Sequence, residues 1–193
     1  HSAKHDYSRI LVAPHSLRKG LLARIHRETK NHLEGKSAWI RLKLNSLLDE
    51  EIITALYEAA DAGVKIEIIV RGICALQFST QAQRENIKVR SILGRFLEHS
   101  RIYYFKNDGA EEYYIGSADM MHRNLDRRVE ALVRIEAEKH KDRLRHILDD
   151  SVSENYSTWS LLDDNQWQRK ARDFDGNLLV NFQDYFVEKH NRA

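Results

Sequence analysis

The chain has 193 residues, 42% hydrophobic and 31% charged, the balance of a globular domain large enough to bury about 70% of its unfolded surface without a disulfide or a metal. Lys plus Arg number 31 against 29 Asp plus Glu, and this net charge of +2 argues against the one-signed field of a duplex-wrapping or polybasic membrane protein. The single Cys excludes an intramolecular disulfide and a cysteine-built zinc site, and fits a reducing compartment.

The first residue is His1 rather than Met, so the chain reads as a piece of a longer protein. Residues 1–6 are expected to be a tag remnant or linker, and 7–193 a single domain. No apolar signal core stands at the N-terminus, and runs such as Ile68-Ile69-Val70 fall far short of the ~20 residues a bilayer needs. Leu17, Leu21, Ile25 and Thr29 recur every fourth residue between Ser16 and Gly35, which predicts a capped amphipathic helix. Ile40, Leu42 and Leu44 then alternate with Trp39, Arg41 and Lys43, the period of a strand. Asp49 caps a second helix, with Glu50 and Glu51 at its positive end, Ile52, Ile53, Leu56, Tyr57 and Ala60 on its inner face and Gly63 as its stop. Residues 64–70 form a β-branched strand ended by Arg71-Gly72. Strand, helix and strand within ~30 residues imply a parallel pair with a right-handed crossover.

A polar loop is expected over 77–85, then a short strand at Ile87, Val89 and Ser91. Two strands, 101–105 and 111–115, flank the turn sequence Asn107-Asp108-Gly109. Their pairs Tyr103-Tyr104 and Tyr113-Tyr114 are expected to pack on opposite faces of the sheet. Val129, Ala131, Val133 and Ile135 alternate again, and 136–150 is a charged helix with Leu144, Ile147 and Leu148 inward. Trp159 and Leu161 suggest an edge strand, and 178–187 a closing helix. The fold class is α/β: a mixed sheet with helices on its faces.

Three places could carry chemistry. Arg71 follows an apolar strand at its carboxyl end, where open α/β sheets bind ligands, and its planar fork suits phosphate oxygens. His99 precedes an aromatic strand and could take or give a proton near neutral pH, although ten His residues make that choice arbitrary on chemistry alone. Gly116-Ser117-Ala118-Asp119 could bring backbone N–H groups to an anion, and Arg128 opens the next strand beside it; the competing reading is a loop of solvated charges. Cys74, among Ile73, Ala75 and Leu76, reads as a packed thiol whose surroundings raise its pKa. No phosphate loop, dinucleotide fingerprint or His-Glu-x-x-His spacing is present, so no metal site is assigned to this chain.

Taken in order, the segments Leu42-Lys43-Leu44-Asn45-Ser46-Leu47, Ile69-Val70-Arg71-Gly72-Ile73-Cys74, Gly94-Arg95-Phe96-Leu97-Glu98-His99-Ser100-Arg101, Gly116-Ser117-Ala118-Asp119 and Arg123-Asn124-Leu125-Asp126-Arg127-Arg128-Val129-Glu130 strongly resemble the carboxy-terminal domain of bacterial type 1 polyphosphate kinase. The likeness runs from about Tyr7 to Ile135 and is expected to fade after Asp150. It implies the second of two phospholipase D-like halves. In that superfamily each half brings His-x-Lys and Gly-Ser-x-Asn to a shared cleft; here Arg101 stands for the Lys and Asp119 for the Asn. Other departures are Met120 where the family often has Trp, and the lack of Pro near Gln77-Phe78.

The resemblance also implies an activity: reversible transfer of the terminal ATP phosphate to inorganic polyphosphate, with Mg2+ held mainly by absent domains, through a phosphohistidine in the preceding half. It gives His99 a role on the phosphates and as general acid, Arg71 and Arg128 the ATP phosphates, and Glu130 the orientation of an imidazole. ATP or ADP, polyphosphate, the remaining domains and further copies of the enzyme are the implied partners, nucleic acid is not among them, and the implied location is the bacterial cytoplasm or inner membrane face. The fragment alone is expected to be inactive. The alternatives are a non-catalytic nucleotide, polyphosphate or oligomerisation module, and a phospholipase D-like phosphodiesterase or nuclease.

Overall fold

The computed structural model describes residues 9–191, so the linker expected at 1–6 lies outside the described residues. Its elements run β1 (Ile10–Ala13), α1 (Leu17–Leu33), β2 (Trp39–Leu44), α2 (Glu50–Asp61), β3 (Lys65–Val70), α3 (Gln81–Asn86), β4 (Ile87–Ser91), β5 (Ile102–Phe105), β6 (Glu112–Gly116), β7 (Glu130–Ile135), α4 (Glu138–Val152), β8 (Tyr156–Leu161), β9 (Trp167–Lys170), β10 (Val180–Asn181) and α5 (Phe182–Asn191). The strands make one mixed sheet in the order β1-β7-β6-β5-β2-β3-β4-β8-β10, with β9 also paired to β8. β2, β3 and β4 are parallel; β5, β6 and β7 run antiparallel to their neighbours.

Local chemistry sets most elements as their spacing implies, but the cap expected from Ser16 does not form: its hydroxyl accepts the Val12 N–H and donates to Val12 O. Leu17, Leu21 and Ile25 turn α1 inward, and Gly35 ends it in the left-handed conformation (φ +74°). The Asp49 carboxylate accepts the Ile52 N–H at 3.1 Å, capping α2. The pleat sends Tyr103, Phe105 and Tyr114 into one core with α1 and α2, and Tyr104 and Tyr113 into a second core with α4 and α5. None of the described helices is long and apolar enough to cross a membrane.

Three readings are corrected. The loop expected over 77–85 contains the start of α3, nucleated by a reciprocal capping box between Thr80 and Gln83. The strand at Trp159 and Leu161 is not an edge: β8 has β4 on one side and β9 on the other. Part of the expected closing helix is the short strand β10, and α5 starts only at Phe182.

Buried ion pairs fasten the helices to the sheet. The Glu112 carboxylate on β6 receives Arg24 at 2.8 Å and Arg27 at 2.9 Å from α1. Arg41 of β2, 2% exposed, reaches Glu67 at 2.7 Å and Asp149 of α4 at 2.6 Å while lying over the Trp39 ring. Burial alone raises the Glu112 pKa; the Arg27 hydrogen bond and the Arg24, Arg27 and Arg134 charges outweigh it, so the carboxyl sits below its ordinary range. Its contribution to stability is therefore present above the unfolded value of about 4.3 and lost as pH falls through the lower, folded value. Glu112→Gln should cost about 2–3 kcal/mol at neutral pH in urea unfolding, somewhat less than a fully dry pair because Arg24 and Arg27 still touch water. It should also flatten the acid limb of stability against pH; an unchanged acid limb would refute the assignment.

Candidate active site

Because β2 and β3 are parallel, their carboxyl ends share one edge of the sheet. β5 is antiparallel to β2, with Ile102 opposite Lys43, so its first residues lie at that edge. The same alternation brings the end of β6 and the start of β7 there. Arg71, His99, Gly116-Ser117-Ala118-Asp119, Arg128 and Glu130 are thus gathered on one edge from four separate stretches of chain. Backbone bonds lace the loops: Leu47 N–H to Ile73 O (2.9 Å), Ala75 N–H to Leu47 O (2.9 Å), Leu48 N–H to Met120 O (2.8 Å) and Met120 N–H to Ser46 O (3.2 Å). Gly72 is required in this lacing, since a Cβ there would stand 2.7 Å from the Asn45 carbonyl oxygen.

Asp119 is the node. Its buried carboxylate accepts a fork from Arg101, Nε at 3.2 Å and Nη2 at 2.8 Å, and the Asn45 N–H at 2.7 Å. Arg101 Nη1 donates to the His99 carbonyl oxygen and contacts His99 Nδ1, both at 2.9 Å. A guanidinium only donates, so Nδ1 is the acceptor and the neutral ring carries its proton on Nε2. The Asn45 side-chain oxygen accepts Arg71 Nε at 3.1 Å. One hydrogen-bonded series therefore runs from His99 through Arg101, Asp119 and Asn45 to Arg71. Below it, Tyr103 donates its hydroxyl to Ala118 O, and burial raises its pKa well beyond the ordinary phenol range.

The other predicted residues fall differently. Arg128 is exposed, and its side chain makes no hydrogen bond or ion pair with a described residue. Glu130 is buried and accepts Asn124 Nδ2 at 2.8 Å; it shares the edge with His99, whose Nδ1 is taken by Arg101. The reading of Gly-Ser as an anion cradle is corrected for its serine amide: the Ser117 N–H donates to Ala131 O at 3.1 Å. Burial raises the Cys74 thiol as expected. The carboxylates at this edge do not form a magnesium site: Asp119 is held by Arg101 and Asn45, and among the described residues no group of three His, Cys, Asp or Glu could hold a metal.

Sequence reasoning missed the residues that brace the site. Asn45 ends β2 as Arg71 ends β3, so the strand-end rule would have found it. Lys43, also on β2, donates to Glu98 at 2.7 Å and Ser100 at 2.9 Å, the two neighbours of His99. Gln183 of α5 accepts the Phe96 N–H at 2.6 Å and donates to Phe96 O at 2.8 Å and Glu98 at 3.1 Å. The loop carrying His99 has no regular structure, and these side chains fix it.

The model of the polyphosphate kinase C-terminal domain 2 matches residues 10–181. The polyphosphate kinase of Streptomyces coelicolor is 48% identical over 192 residues, spanning 100% of this chain and 26% of that protein. That of Mycolicibacterium paratuberculosis is 46% identical over 190 residues, with 98% and 26% covered. The crystal structure of polyphosphate kinase from Porphyromonas gingivalis superposes with a TM-score of 0.85 at 34% identity, over 97% of this chain and 29% of that one. Nuc from Salmonella typhimurium, a phospholipase D family member, shares the fold at a TM-score of 0.54 and 16% identity, over 84% and 97%. The chain belongs to the polyphosphate kinase family through this domain and spans about a quarter of the length of its curated relatives. The likeness does not fade at Asp150 but continues to residue 181.

With both partners near 10% exposed, the Arg101–Asp119 pair should be strongly coupled. Asp119→Asn and Arg101→Gln, singly and together, should give a coupling of about 2 kcal/mol in a double-mutant cycle of urea unfolding. Strict additivity would show that the pair contributes nothing of its own.

Proposed function

We propose that, as a member of this family, the chain supplies half of a phosphoryl-transfer site that moves the terminal phosphate of ATP reversibly to inorganic polyphosphate. The observation that carries the reading is the hydrogen-bonded series joining His99 to Arg71 at the strand-end edge. Phosphoryl transfer needs positioning and charge neutralisation more than elaborate covalent chemistry. Arg71 is anchored through Nε, which leaves its two terminal nitrogens to meet the ATP phosphates as a fork. Arg128 adds a second guanidinium. His99, with its proton on Nε2, donates toward the bridging oxygen of the departing ADP, so charge developing there meets a donor.

The nucleophilic imidazole, phosphorylated in passing, belongs to the preceding half-domain. The phosphoryl group leaves ATP for that nitrogen, ADP departs, and a terminal oxygen of polyphosphate takes the group in the second step. Any magnesium that the reaction uses would need ligands other than the described carboxylates at this edge, and would supply charge neutralisation on the phosphates. Glu130 acts on the site through Asn124 and the turn that carries Arg128. Ile73, Leu97 and Val129, 62%, 70% and 86% exposed near this edge, fit a surface covered by the other domains. The phosphodiesterase reading is disfavoured because the residues at its Lys and Asn positions, Arg101 and Asp119, are bonded to each other.

In a full-length enzyme carrying this domain, His99→Ala, Arg71→Ala and Arg128→Ala should each slow ATP formation from ADP and polyphosphate by about 10²-fold or more while leaving the melting temperature nearly unchanged. Near-normal rates in all three would leave a binding or assembly module as the better reading.

A further inference from the structure

The chain is close to neutral overall, so where its positive charge is left uncompensated is informative. At least nine of the described arginines are ion-paired to carboxylates. The side chains of Arg123, Arg127 and Arg128 have no hydrogen bond, ion pair or ring contact with any described residue, and all three residues are exposed. They sit within six consecutive positions, on and just after the π-type turn Arg123–Arg127 that leads into β7.

This turn is rigid. Asn124 and Leu125 are 3% and 1% exposed beneath it, and Asn124 is tied to Glu130. Its one acidic residue, Asp126, does not cancel the arginines, because its carboxylate is already held by Arg18 of α1 and by His122. The i→i+5 pattern of a π turn returns to the same side after about four to five residues, so Arg123 comes round toward Arg127 and Arg128. A loop of solvated charges is the competing reading of this stretch; the structure instead has a pinned turn with three unneutralised forks leading into β7, whose start lies at the edge that carries His99 and Arg71.

We infer that Arg123 and Arg127 bind the linear polyanion itself, extending outward from Arg128 a strip that grips successive phosphates of inorganic polyphosphate beyond the one in transit. The inference rests on the proposed phosphoryl-transfer site. Guanidinium forks match phosphate oxygens, and a row of them suits a ligand whose charge repeats along its length. A nucleotide held at Arg71 and Arg128 does not need Arg123 or Arg127, so the two ligands are separable.

The test uses this chain with medium-length sodium polyphosphate and, separately, ADP as probes. Arg123→Gln/Arg127→Gln is compared with Arg84→Gln/Arg172→Gln, an equal charge change at arginines bonded only to backbone carbonyl oxygens. The strip variant should bind polyphosphate about tenfold or more weakly and lose roughly 1.4–1.8 from the slope of log affinity against log salt, at 0.7–0.9 per phosphate contact. Its ADP affinity should stay within about twofold, and the control pair should lie near wild type on both probes. The single variants, with thermal unfolding as a fold check, should fall between. Polyphosphate binding equal to that of the control pair, or an equal loss of ADP, overturns the strip. Wild-type chain that binds ADP but not polyphosphate overturns the strip alone; chain that binds neither overturns the phosphoryl-transfer site as well.

Discussion

A carboxylate buried where strand ends meet must be neutralised, and the neutralising group fixes the geometry around it. Asp119, 6% exposed, is such a group. Left unpaired in this setting it would cost several kcal/mol. Arg101 answers with a two-pronged pair, and the Asn45 amide adds a third donor. Arg101 has one nitrogen left over, and that nitrogen holds His99. The place of the imidazole, and the nitrogen that bears its proton, thus follow from the electrostatic demand of a neighbour 20 positions along the chain.

Much of the fold is legible because hydrophobic period and capping chemistry agree. The four-residue recurrence of Leu17, Leu21 and Ile25, the alternation of Ile40, Leu42 and Leu44, and the Asp49 cap each name an element without tertiary help. The misses share a cause. α3 buries only Gln83, so it has no apolar period, and only its Thr80–Gln83 capping box announces it. β9, Trp-Gln-Arg-Lys, is mostly exposed and exists because β8 offers it a pairing edge. β1 is a four-residue run defined by its pairing to β7. In each case the information lies in a partner distant in sequence.

The site divides in the same way. Arg71 follows from its position at a strand end, a rule local enough to apply to the sequence. Asn45 obeys the same rule, but an uncharged amide at a strand end carries no sign of a role in the sequence. His99 and Arg128 stand among the candidates by position, but one His among ten is not distinguishable by composition, and the ordered likeness to a family is what gives these two and Glu130 their roles. The pairing of Arg101 with Asp119 and the grip of Lys43 and Gln183 on the His99 loop join residues on different strands and helices, and only the folded register brings them together.

Gly116 has a further consequence. A Cβ at this position would lie 1.9 Å from the Ala131 carbonyl oxygen, so the close approach of β6 to β7 leaves no room for any side chain. The neighbouring Ser117 closes the same seam, donating its N–H to Ala131 O and accepting the Ala131 N–H on its hydroxyl. In a saturation mutagenesis screen scored by growth, position 116 would tolerate nothing and would look like a residue that touches substrate. Its constancy would instead record the width of a gap between two strands, and would persist in a descendant that had exchanged its chemistry for another.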